Sequence, residues 1–284
     1  MHSNLPVAVY TPDSRQPMFT QVLKEIWRDL KASRELAWRL MVRDIRAHYR
    51  QSLLGIGWSF IPPLVTALIF IVLHSRKIIA LNETSLPYPV FAIVGTVLWH
   101  IFVYSLTVPL KVVGESKPLL CKINFPKEAL ILSSFGQALF NLGIKVVILV
   151  LTVILFKIPL TWGMLLSLVA MVLLILLGIA VGLLFTPLGI LYTDIAQGFT
   201  ILTTLWFFIT PVVYPPPVEF PLSLVVMLNP VTPILVGARE LATGGVVHNP
   251  ILFCVMSIVI LLFLFMAWIV FRVSMPIVVE RLSA

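Results

Sequence analysis

The side chains that could do chemistry in this chain are sparse, and most lie outside its long apolar runs. One polar stripe is an exception, because Ser134, Gln137, Asn141 and Lys145 recur at helical spacing and share one face. Polar groups in hydrocarbon are costly unless they face protein or water. The stripe therefore predicts a face that lines a translocation path or a seam between two copies, where it would offer hydrogen-bond donors to a substrate. A hydrogen-bonded contact between helices is the alternative, and these interpretations stay open.

The sequence lacks the motifs by which a protein would power or catalyse a reaction itself. It has no Gly-Lys dipeptide, hence no phosphate-binding P-loop, and no Cys-x-x-Cys or His-Glu-x-x-His pattern. The predicted spans contain no Asp or Glu, which ion-coupled carriers generally need. The histidines are scattered, unlike the acidic and histidine clusters of a membrane enzyme. We therefore expect no catalytic, cofactor-binding or metal-binding residue here, and an energy source on a partner.

The composition places the chain in a membrane. Of its 284 residues, 60% are hydrophobic and 11% are charged, whereas soluble domains have about 45–50% apolar and about 25% charged residues. The net charge of +8 comes from basic residues beside the apolar runs, which indicates membrane topology rather than nucleic-acid binding. Cys121 and Cys254 lie far apart in sequence, and we predict that both are free thiols.

Six apolar runs predict an all-α integral membrane protein with six transmembrane helices per subunit. Each run reaches or approaches the roughly 20 residues that a bilayer requires. The runs cover residues 56–74, 89–113, 129–156, 162–191, 198–214 and 251–271. Within residues 215–249, shorter apolar runs at 222–228 and 231–242 are broken by prolines. We interpret them as an external re-entrant helical segment between spans five and six.

Residues 1–54 are predicted to be a cytoplasmic tail followed by amphipathic interface helices, and residues 55–284 to form the membrane domain. Residues 1–17 have no periodicity, so we expect a loose tail there. Ser33 is expected to cap a second helix over residues 34–50. A basic amphipathic helix is typical of one that lies among lipid headgroups, and a solvated helix packed on its own protein is the alternative.

The basic residues predict the orientation, because Lys and Arg concentrate in cytoplasmic loops. Most of them lie in the N-terminal region, in the loop 114–128 between spans two and three, and at the C-terminus. On the opposite side lie Arg76, Lys77, Lys157 and Arg239. Both termini are therefore predicted to be cytoplasmic.

The junction between the N-terminal helices and the first span carries a recognisable pattern. Its residues are Arg43-Asp44, Tyr49, Ser52, Leu54-Gly55, Trp58 and Pro63. This pattern resembles the RDxxxxYxxSxLGxxWxxxxP signature of the permease subunits of type-2 ABC exporters of polysaccharides, which include O-antigen, capsule and teichoic acid exporters. Further places agree with that family in order, namely Lys122 with Phe125-Pro126, Asp194, and Asn229-Pro230 with Arg239-Glu240. Thr193 departs from it, because the family usually has Arg there.

The resemblance implies a homodimeric channel in the inner membrane of a bacterium, surrounded by membrane lipid. It implies a lipid-linked, O-antigen-like polysaccharide as the substrate. Two copies of a separate cytoplasmic subunit would bind ATP and Mg²⁺, so this chain itself would bind no cofactor. The alternative function within the same class is export of a small amphiphile or drug.

The resemblance also assigns docking of the ATP-binding subunit to the interface helix and to the loop 114–128. The docking residues would be Arg43, Asp44, Tyr49, Leu119, Leu120, Lys122, Phe125 and Pro126. In the loop, Pro118 and Pro126 bracket a short amphipathic helical turn over residues 119–124, whose shape suits insertion into a groove of the partner. An ordinary connector that follows the positive-inside rule is the alternative.

Aromatic residues in the middle of spans two and five are further candidates for the translocation path. They are Trp99, Phe102, Tyr104, Trp206 and Phe207. Aromatic faces can stack on sugar rings, so these residues would line the path together with the polar stripe. Lipid-facing or core packing is the alternative.

A hinge is predicted where the interface helix meets the first span. Gly55 and Gly57 provide a bend, and Trp58 and Pro63 set the entry of the span. A basic collar of Arg43, Arg46 and Arg50 would hold the helix at the headgroups. A cytoplasmic push on residues 34–50 would then rotate the first span.

Overall fold

A computed structural model describes residues 19–50, 52–78, 86–122, 125–217 and 221–283, with the side chains of α1 described from Arg28 onward. Regular structure within these ranges is entirely helical. The helices are α1 (Phe19–Arg50), α2 (Ile61–Ser75), α3 (Tyr88–Glu115), α4 (Lys117–Lys122), α5 (Glu128–Leu155), α6 (Gly163–Leu191), α7 (Asp194–Ile209), α8 (Leu222–Leu228), α9 (Val231–Ala242) and α10 (Pro250–Ser283). A short 3₁₀ helix, Gly55–Ser59, precedes α2. The tail predicted over residues 1–17 lies outside the described residues.

Within the described ranges, five helical segments are long and apolar enough to cross a membrane, so the chain is a multi-pass membrane protein. They are Gly55–Ser75, Tyr88–Glu115, Glu128–Leu155, Gly163–Leu191 and Pro250–Leu282. They correspond to predicted spans one to four and six. The predicted fifth span corresponds to α7, whose 16 residues extend about 24 Å. This helix alone is shorter than the hydrocarbon core of about 30 Å.

The close contact between α3 and α6 lies at the centre of the bundle. A Cβ atom on Gly178 of α6 would lie 2.7 Å from the carbonyl oxygen of Phe102, and one on Gly182 would meet the carbonyl oxygen of Leu106. Any larger residue would push the two backbones apart. This pair of glycines, four residues apart, therefore permits the close approach that small residues provide between membrane helices.

Helix α1 is continuous through Ser33, so the predicted helix start at that residue is wrong. The residues around it include Lys31, Ala32, Arg34 and Glu35, which are good helix formers, and the buried serine side chain needs little room. The buried positions of α1 are Ser33, Ala37, Leu40 and Asp44, which share one face. That face packs against the first half of α5.

The opposite face of α1 is exposed and basic. Its exposed residues include Trp38, Arg39, Arg43, Arg46 and Arg50. The predicted interface helix therefore has one face on its own protein and one face free to meet lipid or a partner.

The helices run between two ends of the bundle, which we name the α1 end and the α9 end. At the α1 end, Arg272 near the end of α10 contacts Asp29 of α1 and Glu128 at the start of α5. At the α9 end, Phe253 in the first turns of α10 lies against Gly237 of α9. The membrane helices thus bring the N-terminal helix and the end of α10 together.

The short helices agree with their predictions to different degrees. Helices α8 and α9 form at the predicted positions, residues 222–228 and 231–242. The predicted docking helix over residues 119–124 is wrong in its bounds, because α4 begins at Lys117. Pro118 lies in its first turn, where a missing backbone N–H costs no helical hydrogen bond. Residues 123 and 124 lie outside the described residues.

The structure describes the side chain of only one of the two cysteines. Cys254 in α10 is a free, exposed thiol, as predicted. The side chain of Cys121 lies outside the described residues, so its thiol state stays a prediction.

Candidate functional site

Asp44 joins α1 to α5 inside the chain. It is 5% exposed, and its carboxylate accepts hydrogen bonds from Gln137 Nε2 at 3.1 Å and from Arg43 Nε at 2.7 Å. A carboxylate removed from water is stable only with such partners. The structure therefore brings together residues that the sequence assigns to docking, Arg43 and Asp44, and a residue that it assigns to the translocation path, Gln137.

The polar stripe of α5 faces α1 and the start of the first span. Lys145 donates a hydrogen bond to the backbone carbonyl of Ser59, which precedes α2. Gln137, Asn141 and Lys145 are all buried. These contacts support the interpretation as a hydrogen-bonded contact between helices of one chain. The assignment of the three residues to the translocation path stays a prediction.

The predicted hinge is a turn between α1 and α2. Gly55 has φ +50°, in the left-handed region that favours glycine. Its amide donates to Ser52 Oγ at 3.0 Å. The hydroxyl groups of Tyr49 and Ser59 lie 3.1 Å apart and connect the end of α1 to the 3₁₀ helix. The chain thus changes direction at Gly55 while α1 stays bonded to the start of the first span.

The remaining hinge residues occupy three different settings. Gly57 lies within the 3₁₀ helix, where a Cβ atom would make only an ordinary contact of 3.6 Å with Leu54. Trp58 is 55% exposed, and Pro63 is buried in the first turn of α2. A role of these residues in coupling stays a prediction.

Helix α4 lies at the α1 end with one side against the core. Leu120 is buried, Leu119 is half-buried and Lys122 is exposed. Lys117 donates to the backbone carbonyl of Ile190 at 3.0 Å and so connects α4 to the end of α6. The loop therefore has an inner side that contacts the membrane helices and an outer side that carries a cation.

The residues that follow α4 also lie partly inside. Phe125 and Pro126 are half-buried. Lys127 donates to the carbonyl of Phe125 at 3.1 Å, and its ammonium lies 5.4 Å from the centre of that ring. The predicted docking role of Phe125 and Pro126 stays a prediction.

Four of the five predicted aromatic residues, namely Trp99, Phe102, Trp206 and Phe207, form a packed cluster of α3 and α7 side chains. Ring centroids lie 5.4 Å apart for Trp99 and Phe102, 5.8 Å for Trp99 and Phe207, and 5.2 Å for Phe102 and Trp206. These separations are typical of favourable aromatic pairs. Trp99, Phe102 and Phe207 are buried, while Tyr104 and Trp206 are half-buried. The cluster packs inside one chain, and a contact with sugar stays a prediction.

At the α9 end, a buried arginine holds the segment that follows α7. Arg239 is 3% exposed and donates to the carbonyl oxygens of Pro211 and Val212, both at 2.7 Å. Its guanidinium lies 3.9 Å from the centre of the Phe91 ring. An irregular segment buried in the protein needs donors for its carbonyls, and a guanidinium removed from water needs acceptors. Nη2 of Arg239 and the two carbonyls satisfy each other, while Nε of Arg239 has no hydrogen-bond partner among the described residues.

Side chains of α3 and of the α8–α9 connection complete what we name the Arg239 cluster. The Tyr88 hydroxyl donates to the carbonyl of Val213 at 3.0 Å. Gly95 lies so close to the carbonyl of Val212 that no side chain fits there. Asn229 accepts from Trp206 Nε1 at 3.0 Å and donates to the hydroxyl of Thr210 at 2.8 Å. The cluster thus joins α3, α7 and α9.

These contacts extend the reach of α7. Its first turn lies near the end of α6, where Ile195 is close to Gly189. The segment 210–213 that follows α7 reaches the first turns of α3 at the α9 end. Helix and segment together therefore run from the α1 end to the α9 end.

Arg272 of α10 joins three helices at the α1 end. Its guanidinium lies 2.8 Å from the carboxylate of Asp29 in α1 and 2.7 Å from that of Glu128 at the start of α5. The side chain of Arg272 is 28% exposed and that of Glu128 is 4% exposed. These ion pairs hold α1 in place but leave part of their charge in contact with water.

His48 provides a further contact between α1 and α3. Lys111 Nζ lies 3.1 Å from His48 Nδ1. Partial removal from water lowers the pKa of His48, the Lys111 ammonium lowers it further, and the Glu115 carboxylate opposes the shift. The imidazole therefore stays neutral to lower pH than usual, which keeps it able to accept the hydrogen bond from lysine.

The contacts of the Arg239 cluster are not predicted from the sequence. Asn229 and Arg239 are points of family resemblance, and Arg239 is also one of the basic residues predicted on the side opposite the termini. One signal was present, because an arginine in a mostly apolar helix needs acceptors for its hydrogen bonds if it is buried. Tyr88 and Gly95 carry no such signal, because their partners are backbone carbonyls of a segment far away in the sequence.

The sequence is similar to known transport proteins over most of its length. The sequence model of the ABC-2 type transporter family matches residues 35–243. An O-antigen export system permease protein RfbA from Myxococcus xanthus is 28% identical over 212 residues, which cover 73% of this chain and 80% of that protein. Two proteins of the same name from Klebsiella pneumoniae are 26% identical over 216 and 212 residues, covering 72% of this chain and 79% of each.

Proposed function

Because the chain belongs to the ABC-2 type transporter family, we propose that it is the membrane permease subunit of an ABC exporter. Its substrate is a lipid-linked, O-antigen-like polysaccharide, which it moves across the inner membrane of a bacterium. The observation that carries this proposal is the similarity to O-antigen export permeases over nearly three quarters of the chain. The chain is a channel subunit, and ATP is hydrolysed on a separate partner.

The ATP-binding subunit docks at the α1 end. In support, α1 and α4 lie together there, with the Arg43 guanidinium 3.5 Å from Ser116 just before α4. Arg43 and Lys122 keep exposed positive charge on the outer side. Asp44 and Leu120 are buried, so they position α1 and α4 rather than contact the partner.

Movement of α1 reaches the membrane helices through short, polar contacts. Asp44 bonds to Gln137 of α5, and Tyr49 lies against Ser59 at the start of the first span. Lys145 of α5 bonds to the carbonyl of the same serine. A displacement of α1 by the partner therefore shifts α5 and the first span together, and the turn at Gly55 absorbs the change in direction.

Six crossings complete the subunit, and two copies enclose the path. The reach of α7 and residues 210–213 between the two ends supports a sixth crossing. Helices α8 and α9 then form a re-entrant segment on the outer side, which their prolines and short lengths favour. An even number of crossings places both termini on the same side of the membrane, and docking of the ATP-binding subunit at the α1 end makes that side the cytoplasm. The first and last spans bury little of their apolar surface within one chain, which leaves it for lipid or a second copy.

Deletion of the gene in its own host tests the proposed function. We expect surface polysaccharide to be lost and the lipid-linked glycan to accumulate on the cytoplasmic side, with both restored by the intact gene. Unchanged surface polysaccharide in the deletion strain would rule out the proposed substrate. Loss of resistance to a small amphiphile with normal surface glycan would support the alternative substrate class.

A further inference from the structure

Two adjoining cavities form a cleft at the α9 end, which we name the outer cleft. Their volumes are about 480 Å³ and about 810 Å³. Both are lined by Pro216, Val236, Glu240, His248 and Asn249. Ligand pockets in proteins commonly measure about 300–1,000 Å³, so the outer cleft is large enough for a ligand of several rings.

The rim of the outer cleft carries polar groups in fixed positions. Glu240 Oε2 accepts the backbone N–H of His248 at 3.0 Å, and Glu240 Oε1 lies 2.8 Å from His248 Nδ1. The Glu240 side chain is 21% exposed, while that of His248 is 86% exposed. Asn249 is also exposed. One carboxylate therefore orients a loop that presents an imidazole and an amide to whatever enters.

The walls of the outer cleft contain unused hydrogen-bonding capacity. Thr232 and Arg239 line its two parts. The hydroxyl of Thr232 and Nε of Arg239 are buried and have no hydrogen-bond partner among the described residues. Buried polar atoms without partners are unfavourable, and a turn of the threonine side chain is enough to offer its hydroxyl to a ligand. This capacity favours a polar occupant over an alkyl chain.

The remaining walls are apolar, and the charges nearly cancel. Phe91, Pro215 and Pro216 contribute ring faces. Among the described residues of the walls, the charged groups are the guanidinium of Arg239 and the carboxylate of Glu240, which are opposite in sign. A phosphate or diphosphate prefers an excess of cationic donors. Apolar ring faces with separate donors and acceptors instead suit an uncharged sugar, which has C–H faces and hydroxyl edges.

We propose that the outer cleft binds a short, uncharged segment of the exported glycan after it has passed the membrane helices. The inference rests on the proposed function, because the α9 end is the outer end only if the ATP-binding subunit docks at the α1 end. Binding there holds the emerging chain beside the segment 210–217 and disfavours its return.

Photo-crosslinking in cells that make the glycan tests this proposal. Benzoyl-phenylalanine is placed at Val246, which lines the outer cleft and is 85% exposed, or at His248 on the same loop. The control position is Ile251, which is 80% exposed but does not line the cleft. We expect illumination to attach the cell's own glycan at one or both cleft positions, visible as a sugar-stained ladder, and not at Ile251.

The outcomes separate this proposal from the proposed function, because export of surface polysaccharide is measured in the same cells. Normal export without a sugar-stained product at either cleft position would overturn the cleft proposal and leave the proposed function intact. A product that carries lipid without sugar, or equal labelling at Ile251, would also overturn it. If benzoyl-phenylalanine at one cleft position abolishes surface glycan, the crosslinking result at the other cleft position decides the test, because both positions lie on the same exposed loop.

A substitution that removes only a hydroxyl gives a second test. Thr232→Val keeps the shape of the side chain and should lower the crosslinking yield at Val246 several-fold. The matched control is Thr186→Val, whose hydroxyl bonds to the Gly182 carbonyl of its own helix and lies far from the cleft. Equal yields in the two variants would contradict a hydrogen bond from Thr232 to the glycan.

Discussion

At the α1 end the helices are joined by the buried bond between Asp44 and Gln137 and by ion pairs of Arg272 that keep part of their charge in contact with water, whereas at the α9 end they are joined by a buried arginine and backbone carbonyls. Arg272 at the α1 end pairs with carboxylates and is 28% exposed on its side chain. Arg239 at the α9 end is 3% exposed and bonds to carbonyls of an irregular segment. Partly exposed ion pairs are weak and sensitive to salt, while buried groups are costly to separate from their partners.

The difference indicates a division of roles between the two ends. The α1 end can exchange its charged contacts for those of a partner, because its ion pairs are already partly solvated. The α9 end holds α3, α7 and α9 in one arrangement through the Arg239 cluster. We therefore expect changes at the α9 end to affect folding most, and changes at the α1 end to affect coupling to the partner.

The largest effect is expected from Arg239→Met. It leaves the carbonyls of Pro211 and Val212 without their donor, which should lower the free energy of unfolding by about 2–5 kcal/mol. Thermal unfolding of the purified protein in detergent measures this loss, and export should fall with it. Arg76→Met, at an exposed position after α2, is the matched control. Equal stability of Arg239→Met and Arg76→Met would contradict the claim that buried contacts of Arg239 hold the α9 end together.

A smaller effect that depends on salt is expected from Arg272→Gln. It removes the ion pairs to Asp29 and Glu128, which should cost about 1–3 kcal/mol at low salt and less at high salt. Unfolding measured at both salt concentrations checks this, with the exposed Arg281→Gln as the control. The loss in Arg239→Met should not change with salt. If the stability loss in Arg272→Gln is also independent of salt, the proposed difference between partly solvated contacts at the α1 end and buried contacts at the α9 end is wrong.

The turn at Gly55 should affect coupling more than stability. Gly55→Ile places a β-branched residue at φ +50°, which costs about 1–2 kcal/mol, although no atom lies within 4 Å of the added Cβ. We expect ATP hydrolysis by the assembled transporter to continue while export falls. Gly198→Ala is the control, because it lies outside the hinge and no atom lies within 4 Å of its added Cβ. Export equal to that of the unchanged protein would refute the hinge.

Lys145→Met distinguishes a contact between helices from a translocation path. Lys145 bonds to the Ser59 carbonyl, so a contact between helices predicts that the variant loses about 1 kcal/mol of stability. Export per folded molecule should then stay close to normal. Surface glycan is measured together with the amount of protein in the membrane. Strong loss of export at normal protein levels would instead place Lys145 on the path, as the alternative interpretation of the polar stripe requires.

The smallest effect is expected from pH. The folded pKa of His48 lies below the ordinary value of 6.5. Between the folded pKa and the unfolded value, the unfolded chain therefore binds more protons than the folded chain. The stability contributed by neutral His48 is lost as the pH falls through this interval. The melting temperature should fall more between pH about 7.5 and about 5.5 in the unchanged protein than in His48→Asn. Equal changes would show that His48 contributes nothing.

The sequence predicted the helices better than their contacts. Apolar runs locate α3, α5 and α6 within a few residues, because the bilayer requires long stretches without charge. The continuation of α1 through Ser33 was missed, because burial of a small side chain is decided by the rest of the fold. The packing of Gln137 on Asp44 was also missed, because helical periodicity shows that polar residues share a face but not what that face contacts.

Purification of the tagged chain from its host membranes tests the central claim most directly. We expect the chain to co-purify as a dimer with an ATP-binding subunit, whose ATP hydrolysis rate changes when the chain is present. The ratio of the two subunits and the rate with and without the chain are the quantities to measure. A chain that stays monomeric and carries no ATP-binding subunit would contradict the account.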